Sequence, residues 1–264
     1  MQNTSEKPAL VSVFNPKWYI EQMKGWSTRS YFLLAIGISF IIGTTVANPI
    51  TGLALWTMAA AILGFTTTLS ITNTRPLNGV FGMVSALIYI VIAIHAKNPG
   101  DAILQGVYIL FLDLPVLIMP GWAQNVNQRV RKIKETGIRG EKHSPAFWYT
   151  MTALLFVVAA VSLYFFEIYV THSPRPIIDS ITAAIGITGA FLTTQRFSES
   201  YIFWLLQGLA QVVLWGATAM QGDASMVLFF TYILYIANDL VAFTDKDVAW
   251  FHHQAITDKI ASNH

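Results

Sequence analysis

Tyr108-Ile109-Leu110-Phe111-Leu112-Asp113 and Tyr232-Ile233-Leu234-Tyr235-Ile236-Ala237-Asn238-Asp239 are two versions of one theme: a tyrosine, a run of large apolar residues, and an acid at the end. Each lies in an apolar segment, and each segment opens on the same dipeptide, Gly100-Asp101 in one case and Gly222-Asp223 in the other. Upstream, Thr72-Asn73-Thr74-Arg75 ends one apolar segment and Thr193-Thr194-Gln195-Arg196 ends another. The distance from the arginine to the opening aspartate is 26 residues in the first copy and 27 in the second. Every element is short, but order and spacing are shared, and the reading that decides the fold is therefore an internal repeat.

Composition says what surrounds that repeat. Of 264 residues, 54% are hydrophobic and 11% charged, whereas soluble domains carry about 25% charged residues. Lipid rather than water is the expected solvent for much of the surface. Eight apolar segments approach the length needed to cross roughly 30 Å of hydrocarbon: Tyr31–Ala47, Gly52–Ser70, Gly79–Ala96, Ala102–Met119, Phe147–Val170, Ile177–Thr194, Tyr201–Met220 and Ala224–Phe243. Pro, Gly, Asn and Ser supply the turns between them. The first is the shortest. A large soluble helical core would need polar faces that these segments lack.

The repeat unit is then three helices, segments two to four (52–119) and six to eight (177–243). A unit of three ends on the side opposite its start. The fifth segment (147–170) restores the starting side, so the two units run parallel. The expected fold is an all-α, polytopic membrane helix bundle of 3+1+3 plan, with the segment at 31–47 as an additional N-terminal span. Parallel repeats of this kind place a substrate site between them near the midplane.

Lysine and arginine set the expected orientation. The loop after the fourth segment holds Arg129, Arg131, Lys132, Lys134, Arg139 and Lys142. With that loop in the cytoplasm, alternation brings Lys7, Lys17, Lys24, Arg29, Arg75, Arg196, Lys246 and Lys259 to the same side. Only Lys97 and Arg175 fall outside. Both termini are expected in the cytoplasm of a cell with a bacterial-type inner membrane. The first 30 residues do not resemble a cleavable signal peptide. Trp18, Met23 and Trp26 alternate there with Lys17 and Lys24, as in a short interfacial helix or an ordinary aromatic-basic anchor. Residues 244–264, with Asp245, Asp247 and His252-His253, read as a cytoplasmic tail whose histidines are solvated.

Polar residues inside apolar segments are costly and mark candidate sites. Asp113 and Asp239 are the repeat-related acids, and Asn238 adjoins the second. Trp204, Gln207, Gln211 and Trp215 share one face of the seventh segment. Gln105 and Tyr108 share a face of the fourth, with Asp113 beside it. Tyr232, Tyr235 and Asp239 share a face of the eighth. Aromatic planes with amide donors and acceptors suit a flat polar ligand, such as a heteroaromatic base bearing a sugar. The competing reading is interhelical glue. Glu167 and Asp179 lie near the outer side, where they reach water. Arg75 and Arg196 are expected as interface anchors or helix caps. With no cysteine, disulfides and cysteine-ligated metals are excluded. No phosphate loop, metal motif or Ser/His/Asp arrangement is present. Neither a cofactor nor a nucleic-acid partner is expected, and the chain is not read as an enzyme.

The pattern Pro76-Leu77-Asn78-Gly79, Tyr89, Gly100-Asp101-Ala102, Gln105, Tyr108, Gly121-Trp122 resembles the first half of the PnuC family of nicotinamide riboside transporters. Gln195-Arg196-Phe197-Ser198-Glu199-Ser200-Tyr201-Ile202-Phe203-Trp204 resembles that family's second-half motif. The resemblance spans about Gly52 to Phe243. It implies a 3+1+3 vitamin-precursor uniporter related in architecture to the SWEET sugar transporters. Its substrate, nicotinamide riboside, would be trapped by a cytoplasmic kinase for NAD synthesis. The family motif has two tryptophans three apart and an asparagine four residues after the second. Here Trp204 matches the second tryptophan, Tyr201 replaces the first, and Gly208 stands at the asparagine, with Gln207 and Gln211 nearby to supply an amide. These departures leave thiamine or another nucleoside-like precursor as alternative substrates. A non-transporting membrane enzyme or scaffold is the alternative of a different class. Homo-oligomerisation is left open. The substrate-binding set expected is Trp204, Tyr201, Gln207, Gln211, Gln105, Tyr108, Asp113, Tyr235, Asn238 and Asp239.

Overall fold

The computed structural model describes residues 9–119, 130–136, 143–246 and 248. Arg129, Arg139 and Lys142 of the basic loop, the Gly121-Trp122 pair, Asp247 and the His252-His253 tail lie outside the described residues. Two short helices, α1 (Ala9–Ser12) and α2 (Pro16–Gln22), precede eight long ones. These are α3 (Thr28–Val46), α4 (Gly52–Thr72), α5 (Leu77–His95), α6 (Pro99–Ile118), α7 (Pro145–Thr171), α8 (Pro176–Thr194), α9 (Ser200–Met220) and α10 (Val227–Thr244), each long and apolar enough to cross a membrane.

Several helices start before their apolar run, because the first turn is built from caps. Thr51 accepts from the Ala54 N–H at 3.1 Å, and Ser27 from the Ser30 N–H at 3.2 Å. Pro99, Pro145 and Pro176 stand in the first turn, where no N–H is needed. Thus α6 includes Asp101, and α3 starts at Thr28 rather than Tyr31. Many hydroxyls inside the helices bond back to the preceding turn, as Thr57 does to Leu53 and Thr231 to Val227, which satisfies them in an apolar setting.

The repeat is visible in the backbone. α4 and α8 end identically: a left-handed residue (Thr74, φ 55; Arg196, φ 62) follows the cap. The next N–H reaches back to the carbonyl five residues before it, Arg75 to Ser70 and Phe197 to Leu192, both at 2.9 Å. α5 and α9 close in the same way at Lys97 (φ 59) and Gly222 (φ 79), with Asn98 bonded to Ala93 and Asp223 to Thr218. This is the Schellman closure. It corrects the register read from sequence: Thr74, not Arg75, matches Arg196. Lys97 matches Gly222, so Gly100-Asp101, inside α6, is not the counterpart of Gly222-Asp223, in a turn.

Helix packing follows the two-fold plan. α4, α5 and α6 pack in succession, as do α8, α9 and α10. The ring closes where α6 meets α8 and where α10 meets α4. α3 packs outside this ring on α4 and α10, and α7 packs on α8 and, through its last turn, on α6. The additional N-terminal helix therefore holds the place in the first copy that the joining helix holds in the second. α7 is the most peripheral, with Leu154 and Val157 more than half exposed. Such a surface would be costly in water and is the expected lipid face. Trp18 and Trp26, read as interfacial anchors, are instead buried against the bundle.

Candidate functional site

Between the two three-helix units lies a cavity of about 110 Å³, measured as the space open to the centre of a water molecule. On that measure one water needs about 10–15 Å³, so the space is more than a packing defect. α4, α5, α6, α9 and α10 line it; among the described residues, α8 contributes none.

The third helix of each unit enters the cavity in the same way. A Cβ on Gly186 of α8 would lie 2.6 Å from the Tyr108 hydroxyl, and one on Gly64 of α4 would lie 2.5 Å from the Tyr235 hydroxyl. Each tyrosine tip thus rests on a glycine of the opposite unit's first helix. Tyr108 therefore matches Tyr235, not Tyr232. The acids follow at Asp113 and Asp239, five residues on in α6 and four in α10. The extra residue is absorbed by a π-turn at Ile109–Asp113, a deviation often found at functional sites.

Both carboxyl groups face the cavity, and neither makes a hydrogen bond to another described residue. Asp113 abuts α5 so closely that a Cβ on Gly82 would lie 2.2 Å from it. Gln105 and Gln207 also line the cavity, with no side-chain hydrogen bond to another described residue. The Tyr108 hydroxyl is buried and unpartnered. Trp204 packs over Gly189, and its indole N–H donates to Thr193 at 3.1 Å. Tyr108 meets that indole edge-on at 5.6 Å. Tyr201 and Asn238 both bond the Thr72 hydroxyl, at 3.3 and 3.0 Å, tying α4, α9 and α10 together. Of the lining residues, none is Lys, Arg or His. Among the described residues no cluster of His, Cys, Asp or Glu is placed to hold a metal ion.

Nine of the ten residues read from sequence as a site line this cavity. Gln211 does not. It is fully buried and donates to Asp101 at 2.8 Å, beside Trp215, which donates to the same carboxylate at 3.2 Å. The face shared by Trp204, Gln207, Gln211 and Trp215 is real, but it is divided between cavity and core. Sequence reasoning missed Thr67, Thr68, Thr72, Ser85 and Tyr89 of the first unit. The threonine run at 66–68 was a usable signal; small residues on α5 gave none.

A second polar assembly was misjudged. Glu167 and Asp179, read as reaching water, are completely buried, as is Asp101. Asp179 caps α6, accepting from the N–H groups of Gly100 at 2.8 Å and Asp101 at 2.9 Å. At its rim Arg175 bonds Asn98, Gln221 and Asp223, and Lys97 bonds Asp223 at 2.8 Å. The hydrogen bond from Lys97, and then that from Arg175, hold the Asp223 carboxyl below its ordinary range. This is the acidic end of the bundle; Arg75, Arg131 and Arg196 mark the opposite, basic end.

The sequence pattern of the family described as "Nicotinamide mononucleotide transporter" matches residues 54–250. The chain belongs to that family. It is a multi-pass membrane transporter and not an enzyme. No curated protein is a significant sequence match. In fold it is similar to the structure titled "Crystal structure of the Vitamin B3 transporter PnuC", with a TM-score of 0.68 at 17% identity, over 90% of this chain and 97% of that one. The family match covers the whole ring of six helices and omits α3. The nicotinamide mononucleotide transporter family is thereby defined by the part of the chain that builds the cavity.

Proposed function

We propose that this transporter takes up nicotinamide riboside by facilitated diffusion, through the cavity between its two repeats. The observation that carries the reading is the cavity's chemistry: an indole, tyrosine rings and free amides beside two unpaired carboxyl groups, with no basic side chain. The pyridinium ring of the riboside is flat and permanently positive. Trp204 and Tyr108 offer aromatic surface to such a ring, and a cation is attracted to aromatic faces and to carboxylates alike. Gln105, Gln207 and the Tyr108 hydroxyl suit its carboxamide and ribose. A phosphate would meet Asp113 and Asp239 with no Lys or Arg to neutralise it, which favours the riboside over the mononucleotide in the family's description.

In this reading the basic end faces the cytoplasm, with both termini on the cytoplasmic side of a bacterial inner membrane. Transport is downhill, and a cytoplasmic kinase retains the product for NAD synthesis. Proteoliposomes should show saturable uptake of labelled riboside without ATP or an ion gradient. Absence of uptake by folded protein sinks the proposal. Thiamine, also a cationic heteroaromatic, is the second reading favoured by the same carboxyl groups. Competition by thiamine stronger than by unlabelled riboside would install it instead.

A further inference from the structure

The acidic end holds a pair of groups the transport reading does not use. Glu167 is the first residue of a π-turn that ends α7, and the turn aims its side chain inward. A Cβ on Gly100 would lie 2.5 Å from a Glu167 carboxyl oxygen and 3.1 Å from an Asp179 oxygen. The two carboxyl groups therefore meet over the first turn of α6. Both Glu167 oxygens are buried, with no donor among the described residues. The Ser173 hydroxyl beside Glu167 reaches the Lys97 carbonyl at 3.3 Å, and the other nearby donors are committed. Arg175 is spent on Asn98, Gln221, Asp223 and the Ala96 carbonyl, and Lys97 on Asp223. Gln211 and Trp215 serve Asp101. The Gly100 and Asp101 N–H groups serve Asp179. His172, the residue that follows the π-turn, is exposed. Two touching carboxylates with no cation between them repel; one proton shared between them turns the contact into a hydrogen bond.

We infer that Glu167 and Asp179 form a proton-binding site that latches the acidic end of the carrier shut. Asp179, already fixed by two backbone donors, is the acceptor, and Glu167 carries the proton. Its closure joins α6, α7 and α8, helices from both repeats and the joining helix. When that end opens, Glu167 meets water and releases the proton. The closed form thus binds one proton more than the open form, and acid favours closure. The inference rests on the proposed carrier cycle only for its effect on access; occupancy of the site by a proton is independent of transport.

Two measurements test it on the full-length protein. Infrared difference spectra of wild type against Glu167→Gln should show loss of a protonated-carboxyl carbonyl band near neutral pH. Because the chain has no cysteine, Ser85→Cys reports cavity access to an impermeant thiol reagent applied at the acidic end. Its labelling is normalised to Ser225→Cys in an exposed turn. The normalised rate should fall toward acid by up to about tenfold per pH unit, the limit for one proton. In the Glu167→Gln background it should be low and flat, and in Glu167→Ala flat. An unchanged band, an equal pH slope in Glu167→Gln, or control by sodium instead of pH overturns the site. A lost band without any riboside uptake would keep the site and remove the carrier reading.

Discussion

The two repeats share a backbone and divide the labour of the cavity. Aligned on the left-handed turns that precede them, at Thr74 and Arg196, Gly82, Ser85, Ala86 and Tyr89 of α5 stand where α9 has Trp204, Gln207, Gly208 and Gln211, and α9 then runs longer before its closing turn at Gly222 than α5 does before Lys97. Apart from Tyr89, the α5 wall is small and makes room; the α9 wall fills it with the Trp204 indole and the Gln207 amide. Gly82 and Trp204 are the sharpest contrast. The space a side chain would take at Gly82 is occupied by Asp113 from the neighbouring helix. Symmetry in such a carrier thus belongs to the helices and their closures, while the facing walls of α5 and α9 differ in the groups they offer to the cavity.

If that division holds, Trp204→Ala produces the largest change. Base–aromatic stacking is worth about 1–3 kcal/mol, so riboside affinity read by calorimetry should drop between roughly five- and 150-fold. Ser85→Ala, on the opposing wall, should change it little. Equal losses from both walls would end the contrast.

The acids are a feature the halves share in kind, and they sharpen the comparison through charge. Asp113→Asn and Asp239→Asn should each weaken the cationic riboside by roughly tenfold, about 1.4 kcal/mol. Neither should weaken its neutral dihydropyridine form, which has nearly the same shape. Parallel losses for both forms would assign the acids to packing.

How much of this could be read beforehand depends on whether the signal is local. The eight spans were legible because apolar length is a property of a single stretch. Helix starts were misplaced by a few residues because caps are polar, as at Thr28 and Pro99. The repeat was legible in outline but out of register. Its left-handed closures use Thr74, Lys97 and Arg196 rather than glycine at three of the four places, and the π-turn that ends at Asp113 adds a residue whose mark, Pro115 inside the span, says that the helix is interrupted but not by how much. Nine cavity residues were legible because buried Gln, Asp and Trp are conspicuous in apolar helices. The Glu167–Asp179–Asp101 assembly was not, since three helices bring it together and each acid alone lies near a helix end, where water is the ordinary expectation. Gln211 was misassigned for a related reason: a helical face identifies neighbours along the helix, not what each neighbour meets.

Glycine at position 82 tests the small wall directly. A methyl at Gly82 would lie 2.2 Å from the Asp113 carboxyl, and overpacking of this kind costs about 1–3 kcal/mol. Gly82→Ala should lower the thermal midpoint in detergent. Gly43→Ala, where nothing lies within 4 Å, should leave it unchanged or raise it slightly through helix propensity.

The smallest effects come from the matched tyrosines, and they should be crossed rather than equal. Tyr235 has a hydrogen bond with Thr68, whereas the Tyr108 hydroxyl is buried without a partner. Tyr235→Phe removes a made hydrogen bond and should cost about 0.5–1.5 kcal/mol of stability, with riboside affinity nearly unchanged. Tyr108→Phe removes a group that is unsatisfied in the empty cavity, so stability should hold or improve. Its affinity for riboside should fall by a few-fold if the hydroxyl meets the ligand. Two positions that the backbone makes equivalent would then differ in which measurement they move, and identical behaviour in both assays would show that the equivalence of the repeats extends from backbone to binding.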